Sequence, residues 1–277
     1  MANPILNDKA FKEASEAGYA SGAWAPPQSR STPISSIPMS NDPVSAWHSQ
    51  AMTVQGTATA TGVLFVFLLA SAVFGYSLVK TDAFGVTKFP TWSLLGVFIG
   101  FGCVIGMRFK PQLAKPLGIV YALAEGVFIG AISHAYESYK SGIVLEAAGA
   151  TLAVFAVMLF LYRTQIIKVT ERFKRIVIGA TLGVMVFYGI SLLINLFGGS
   201  VSFLQSNNGS AFSILISVLV AGLAAFNLAL NFDFIERGSK AGLPKQMEWV
   251  AAVGLMVTII WLYLEILRLL AKLNSRR

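Results

Sequence analysis

The chain has 277 residues, of which 55% are hydrophobic and 12% charged, with a formal net charge of +8. Charged residues stand at about half the ~25% usual in soluble domains, so the polar surface of a water-soluble fold is missing and the chain belongs in lipid. A single cysteine, Cys103, excludes an intrachain disulfide or cysteine metal site, and two histidines, His48 and His134, exclude a histidine-rich metal centre.

Residues 1–56 are polar, rich in Pro and Ser, and without sustained period, and are read as a mostly disordered tail. Pro4, Asp8, Glu13 and Glu16 stand where a secretory signal needs an apolar core, so the first spanning segment has to act as the insertion signal. The rest, 57–277, is read as one membrane domain. It contains seven apolar runs, at 57–79, 92–107, 116–136, 142–162, 174–197, 211–236 and 247–270, against the ~17 to 25 residues needed to cross a hydrocarbon core. The second is the shortest and is rich in glycine. None alternates with period two, so the expected fold is all-α, a polytopic bundle of seven transmembrane helices. Gly96 and Gly100, Gly102 and Gly106, Gly126 and Gly130, and Gly179 and Gly183 have the GxxxG spacing that lets helix backbones approach closely.

The loops carry the basic charge in alternation. Arg108, Lys110 and Lys115 follow the second run, Arg163 to Arg175 the fourth, and Arg237, Lys240 and Lys245 the sixth, whereas 198–210 has no charge at all. This is the positive-inside pattern of a multi-pass membrane protein, with a cytoplasmic N-terminus and an outside C-terminus. The pI near 9.6 is thus a matter of topology, and the partner it implies is the bilayer, not nucleic acid.

Ionisable residues inside such runs are costly, about 2.5 to 3.5 kcal/mol at least near the bilayer centre, and mark candidate functional positions. Asp233 has Arg237 one helical turn away and Glu265 has Arg268 three residues on, so each has a local ion-pair explanation beside a functional one. Glu146 lies only a turn inside its helix. Glu125 has no basic residue within four positions and lies nine residues past Pro116, about 14 Å deep. If Asp233 and Glu125 share a cavity they titrate together, and with the amide oxygens of Asn227 or Asn231 they form an oxygen-rich set suited to transient calcium.

The strings YALAEGVFIGAIS, FNLALNFDFIERG and WLYLEILRLLAKL resemble the Bax inhibitor-1 family, also called TMBIM, and within it the bacterial YccA-like branch of actinobacteria, over residues 57–277. The resemblance implies a seven-helix bundle with the last helix central, and a pH-sensitive calcium leak sensed by paired aspartates on the sixth and seventh helices. Asp233 after Phe232 matches the first of these, and Glu265 in Tyr263-Leu264-Glu265 is the nearest match to the second. With the turn centred near Gly242, antiparallel helices place Glu265 about 21 Å from Asp233 along the axis, and Glu248 is closer in depth. Either the turn and sixth helix are irregular, or the acid pair is altered here and Glu125 substitutes.

The expected function is therefore a proton-gated cation leak or channel with Asp233, Glu125 and Glu265 as acidic stations. The other reading is a non-transporting protein that modulates a membrane protease or another membrane protein through the basic loop 163–175 and the tail. No nucleophile and base stand in a known catalytic motif, so neither an enzyme nor a resident cofactor is expected.

Overall fold

A computed structural model describes residues 51–81, 87–88, 94–197 and 210–275, all within one compact unit, Trp47–Arg277. The expected tail lies outside the described residues as far as residue 50. Among the described residues there are seven α-helices: α1 (Val54–Leu78), α2 (Leu94–Phe109), α3 (Ala114–Tyr139), α4 (Ile143–Arg163), α5 (Glu171–Leu196), α6 (Ala211–Lys240) and α7 (Met247–Asn274). Six have the length and apolarity to cross a membrane, and α2 is the shorter seventh. Its 16 residues extend about 24 Å, less than the ~30 Å hydrocarbon core. Two residues after α1 pair with two before α2 in a minimal antiparallel ladder, Lys80 opposite Lys88.

The helix ends follow local chemistry. α1 begins at Val54, three residues ahead of the expected start and inside the segment read as tail. The cause is Thr53, whose hydroxyl accepts the Gly56 N–H at 2.8 Å and caps the helix. Just before it, Met52 N–H donates to Leu243 O at 2.6 Å, so the entry to α1 is tied to the α6–α7 turn. That turn pivots on Gly242 at φ +65°, a left-handed conformation suited to glycine. The Glu137 carboxylate accepts the N–H groups of Gly142 and Val144 at 2.6 and 3.2 Å and so closes the start of α4.

The chain runs up and down, which gathers the basic segments 108–115, 163–175 and 237–245 at one end of the bundle, called here the basic end. The opposite is the far end. α7 is central, packed against α1, α3, α4 and α6. In its most apolar stretch 67% of residues are buried, against 6% for α5, the most peripheral of the long helices. Apolar side chains such as Val66, Phe98, Leu145 and Ile176 point outward and are exposed, the surface of a bundle solvated by lipid.

With lipid outside, burying apolar groups drives little helix association and close packing has to supply it. Half of the GxxxG pairs do so. A methyl group added at Gly126 would collide with Ser71 and the Leu68 carbonyl, and one at Gly130 with the Ala72 carbonyl, so α1 and α3 touch backbone to backbone. Gly96 and Gly100 seat α2 on Ala124 and Glu125 of α3. Gly102, Gly179 and Gly183 face open space. Their spacing is compositional and not an interface.

Candidate functional site

Asp233 lies in the last turns of α6, with only 15% of its side chain exposed. It pairs with Arg237 one turn along its own helix and with Lys174 Nζ of α5 at 3.5 Å. Glu171, in the first turn of α5, completes the cluster, 3.0 Å from Lys174 and 3.7 Å from Arg237. Two cations and two carboxylates thus bridge α5 and α6 at the basic end. Beside it on α6, Glu236 pairs with Lys240 and accepts the Tyr162 hydroxyl of α4 at 2.5 Å.

Glu265 is fully buried on α7 and belongs to a different network. It accepts the Tyr188 hydroxyl of α5 at 2.7 Å, the Trp261 indole N–H at 3.3 Å and the Arg268 guanidinium at 3.2 Å. Arg268 also donates to the Tyr188 oxygen at 2.7 Å and lies over the Tyr188 ring. One turn further, the buried Lys272 donates to Ser217 Oγ of α6 at 2.9 Å. A charge in a dry interior requires partners of this kind.

These two acids do not meet. Asp233 binds α5 at Lys174 and Glu265 binds it at Tyr188, fourteen residues apart, which is about 21 Å along the helix. α6 and α7 are antiparallel around a short turn, so the displacement follows from register. Glu248, nearer to Asp233 in depth, is occupied elsewhere. Its carboxylate accepts the Thr53 N–H and hydroxyl, both at 2.9 Å, and packs on Gly56. It is only 4% exposed, a buried link between the starts of α1 and α7.

Glu125 lies midway along α3, 9% exposed, with its carboxyl group against Gly100 of α2. Among the described residues no hydrogen bond or ion pair reaches it. It faces α2, whereas Asp233 faces α5, and the two do not share a cavity. Nor do Asn227 and Asn231 join carboxylates in an oxygen cage. Asn227 donates to Thr181 of α5 at 2.8 Å and Asn231 to Thr258 of α7 at 2.7 Å, so both amides cross-link helices. Among the described residues no three carboxylate, imidazole or thiol groups converge as a metal cluster would. Glu146 pairs with Lys140 at 3.4 Å near the far end.

The contacts to α5 form a pattern. Lys174, Thr181 and Tyr188 are spaced by seven residues, two helical turns, and so lie on one face. They bond respectively to Asp233, Asn227 and Glu265. Apolar support is slight: Val177 is buried, and Phe173 meets Phe226 edge-on at 5.7 Å. The polar stripe on α5 was missed in the sequence reading, although its heptad spacing is visible there. Lys272 carries no comparable signal.

The family described as Bax inhibitor 1 like matches residues 3–275 of the chain. That span includes most of the N-terminal segment, so the likeness reaches further than 57–277. No curated relative matches. With six apolar helices and a central seventh among the described residues, and a match over nearly its whole length, the chain is an integral membrane protein of the Bax inhibitor 1-like family.

Proposed function

We propose that the protein is a proton-gated cation leak, with calcium as cargo, in which α5 is the moving element. The observation that carries this reading is the stripe Lys174, Thr181, Tyr188, which latches the most peripheral long helix to α6 and α7 at three depths. Two of the three latches end on carboxylates. Ionised, Asp233 attracts Lys174 and Arg237, and Glu265 accepts hydrogen bonds from Tyr188, Trp261 and Arg268. Protonated, each loses most of that attraction, and a helix with little apolar burial loses its hold. Glu125, unpartnered among the described residues at mid-depth between α2 and α3, supplies carboxyl oxygens that coordinate a cation crossing the interior. The three acids stand at different depths as separate stations, not as one coupled pair. No catalytic step and no resident cofactor enter this reading. The basic end faces the cytoplasm of a bacterial plasma membrane, following the alternation of loop charge.

Proteoliposomes loaded with a calcium dye test it. Calcium flux is expected to rise on acidification, and Asp233→Asn is expected to give high flux with a flattened pH response. Flux equal to protein-free vesicles at every pH, or an unchanged pH response in both Asp233→Asn and Glu265→Gln, overturns it.

One observation favours a second reading. Both acids pair with arginines on their own helices, Arg237 and Arg268, which also suits a purely structural role. On that reading the protein transports nothing and modulates a membrane protease or other membrane protein through the basic segment 163–175. Reversing Arg172 and Arg175 to Glu then abolishes the cellular phenotype, and Asp233→Asn leaves it intact.

A further inference from the structure

We propose that a lateral cleft between α1 and α4 binds one acyl chain of a bilayer phospholipid from the leaflet at the far end. The cleft has a volume of about 630 Å³, within the range of pockets that hold small molecules. One wall is α1 from Phe65 to Tyr76 and the other α4 from Val144 to Leu152, while Gly130 of α3 and Ile259 of α7 form the floor. At its mouth Leu69, Val73 and Leu152 are 59%, 72% and 65% exposed. It therefore opens sideways into hydrocarbon and not toward either helix end.

Length and polarity identify the occupant. From Phe65 to Tyr76 is eleven residues, about 16 Å, close to half of the ~30 Å hydrocarbon core and so to the depth of one leaflet. Hydrogen-bonding groups collect at the far-end part of the cleft. The hydroxyls of Ser133 and Tyr263 are 2.7 Å apart, and Tyr76 packs edge-on against His134 at 4.6 Å. Deeper in, the one polar lining side chain, Thr151, turns its hydroxyl back to the Ala147 carbonyl at 2.7 Å, which leaves the walls apolar. The order is polar near the helix ends and hydrocarbon toward the middle, the order of an ester-linked chain. An empty cleft of this size forfeits dispersion contacts on every wall, and water gains too few polar partners there to fill it. The chain touches four helices, unlike a lipid lying on the outer surface. This inference stands apart from the proposed leak and does not depend on it.

The test uses the full chain in nanodiscs whose phospholipid carries a diazirine in mid-chain, with crosslinks mapped by mass spectrometry. Labelling of the floor, Ile259 to Tyr263, is expected to exceed that of the outer face of α5, Ile176 to Val186. Ala148→Phe, which fills the cleft, is expected to cut floor labelling about tenfold, equivalent to ~1.4 kcal/mol, and to leave α5 labelling unchanged. Thr151→Met makes the same test should Ala148→Phe not fold. Floor labelling no higher than on α5, or unaltered in a folded filled variant, overturns the assignment. Loss of floor labelling to an equimolar neutral isoprenoid alcohol also overturns it, because the cleft then takes a ligand other than phospholipid.

Discussion

The latch at the basic end can be measured as a coupling between Asp233 and Lys174. Their charged atoms are 3.5 Å apart, which at an effective dielectric of 20 corresponds to a gross attraction of about 5 kcal/mol. Desolvation and side-chain entropy offset most of this. Exposed pairs retain about 0.2 to 1 kcal/mol, and breaking a fully buried pair costs about 3 to 5. Asp233 is 15% and Lys174 21% exposed, and Arg237 remains on Asp233 after Lys174 is removed. A coupling of about 1 to 2 kcal/mol is therefore expected, a factor of roughly 5 to 30 in the docking of α5. The assay is a double-mutant cycle of Asp233→Asn and Lys174→Met, read from unfolding in mixed micelles and from amide exchange along α5. Near neutral pH the coupling should appear in both readouts, and it should shrink as acid protonates the carboxylates. Effects that add to within about 0.3 to 0.5 kcal/mol refute the reasoning, since they leave Asp233 with no hold on α5.

Glu125→Gln removes no hydrogen bond among the described residues, so thermal stability is expected to stay within about 1 kcal/mol of wild type while calcium flux falls. A large loss of stability with unchanged flux contradicts the role given to it. Glu265→Ala leaves the partly buried Arg268 without its carboxylate and is expected to cost up to about 3 to 5 kcal/mol. Tyr188→Phe, which deletes one hydroxyl of the same network, is expected to cost about 1 to 3. At the helix contacts, Gly130→Val forces α1 and α3 apart and is expected to destabilise by at least about 1 to 3 kcal/mol. Gly179→Ala and Gly183→Ala meet open space and are expected to be neutral or to stabilise by up to about 1 kcal/mol each. Glu248→Ala and Thr53→Val are expected to be strongly non-additive in thermal unfolding, since each removes the hydrogen bond from the Thr53 hydroxyl to Glu248 that ties the start of α1 to α7.

The seven helices and the lipid setting are legible in the sequence because composition and run length decide them before any packing does. Helix ends are less so: α1 starts early on account of one threonine hydroxyl. The separation of Asp233 from Glu265 can be counted from the register of two antiparallel helices around Gly242, and the Asp233 to Arg237 pair from their spacing. What cannot be counted is which foreign helix each acid faces. Lys174 reaches Asp233, and Glu248 reaches Thr53, only through the way α5 and the start of α1 dock at the basic end. GxxxG spacing has the same limit, since Gly126 and Gly179 look alike in sequence and only one lies at a contact. Glu125 is conspicuous in the sequence for lacking a cation within a helical turn, and among the described residues packing brings it none.

The central claim is that acid loosens α5, and the distance from α5 to a fixed helix measures it most directly. Spin labels at Ile176→Cys on α5 and Val54→Cys on α1, both exposed, in a Cys103→Ser background, report that distance by pulsed electron resonance in nanodiscs. A single distance near neutral pH that gains a longer population on acidification, with the longer population present at both pH values in Asp233→Asn, is the expected result. One unchanging distance in wild type and variant alike, across the range in which carboxylates titrate, contradicts it.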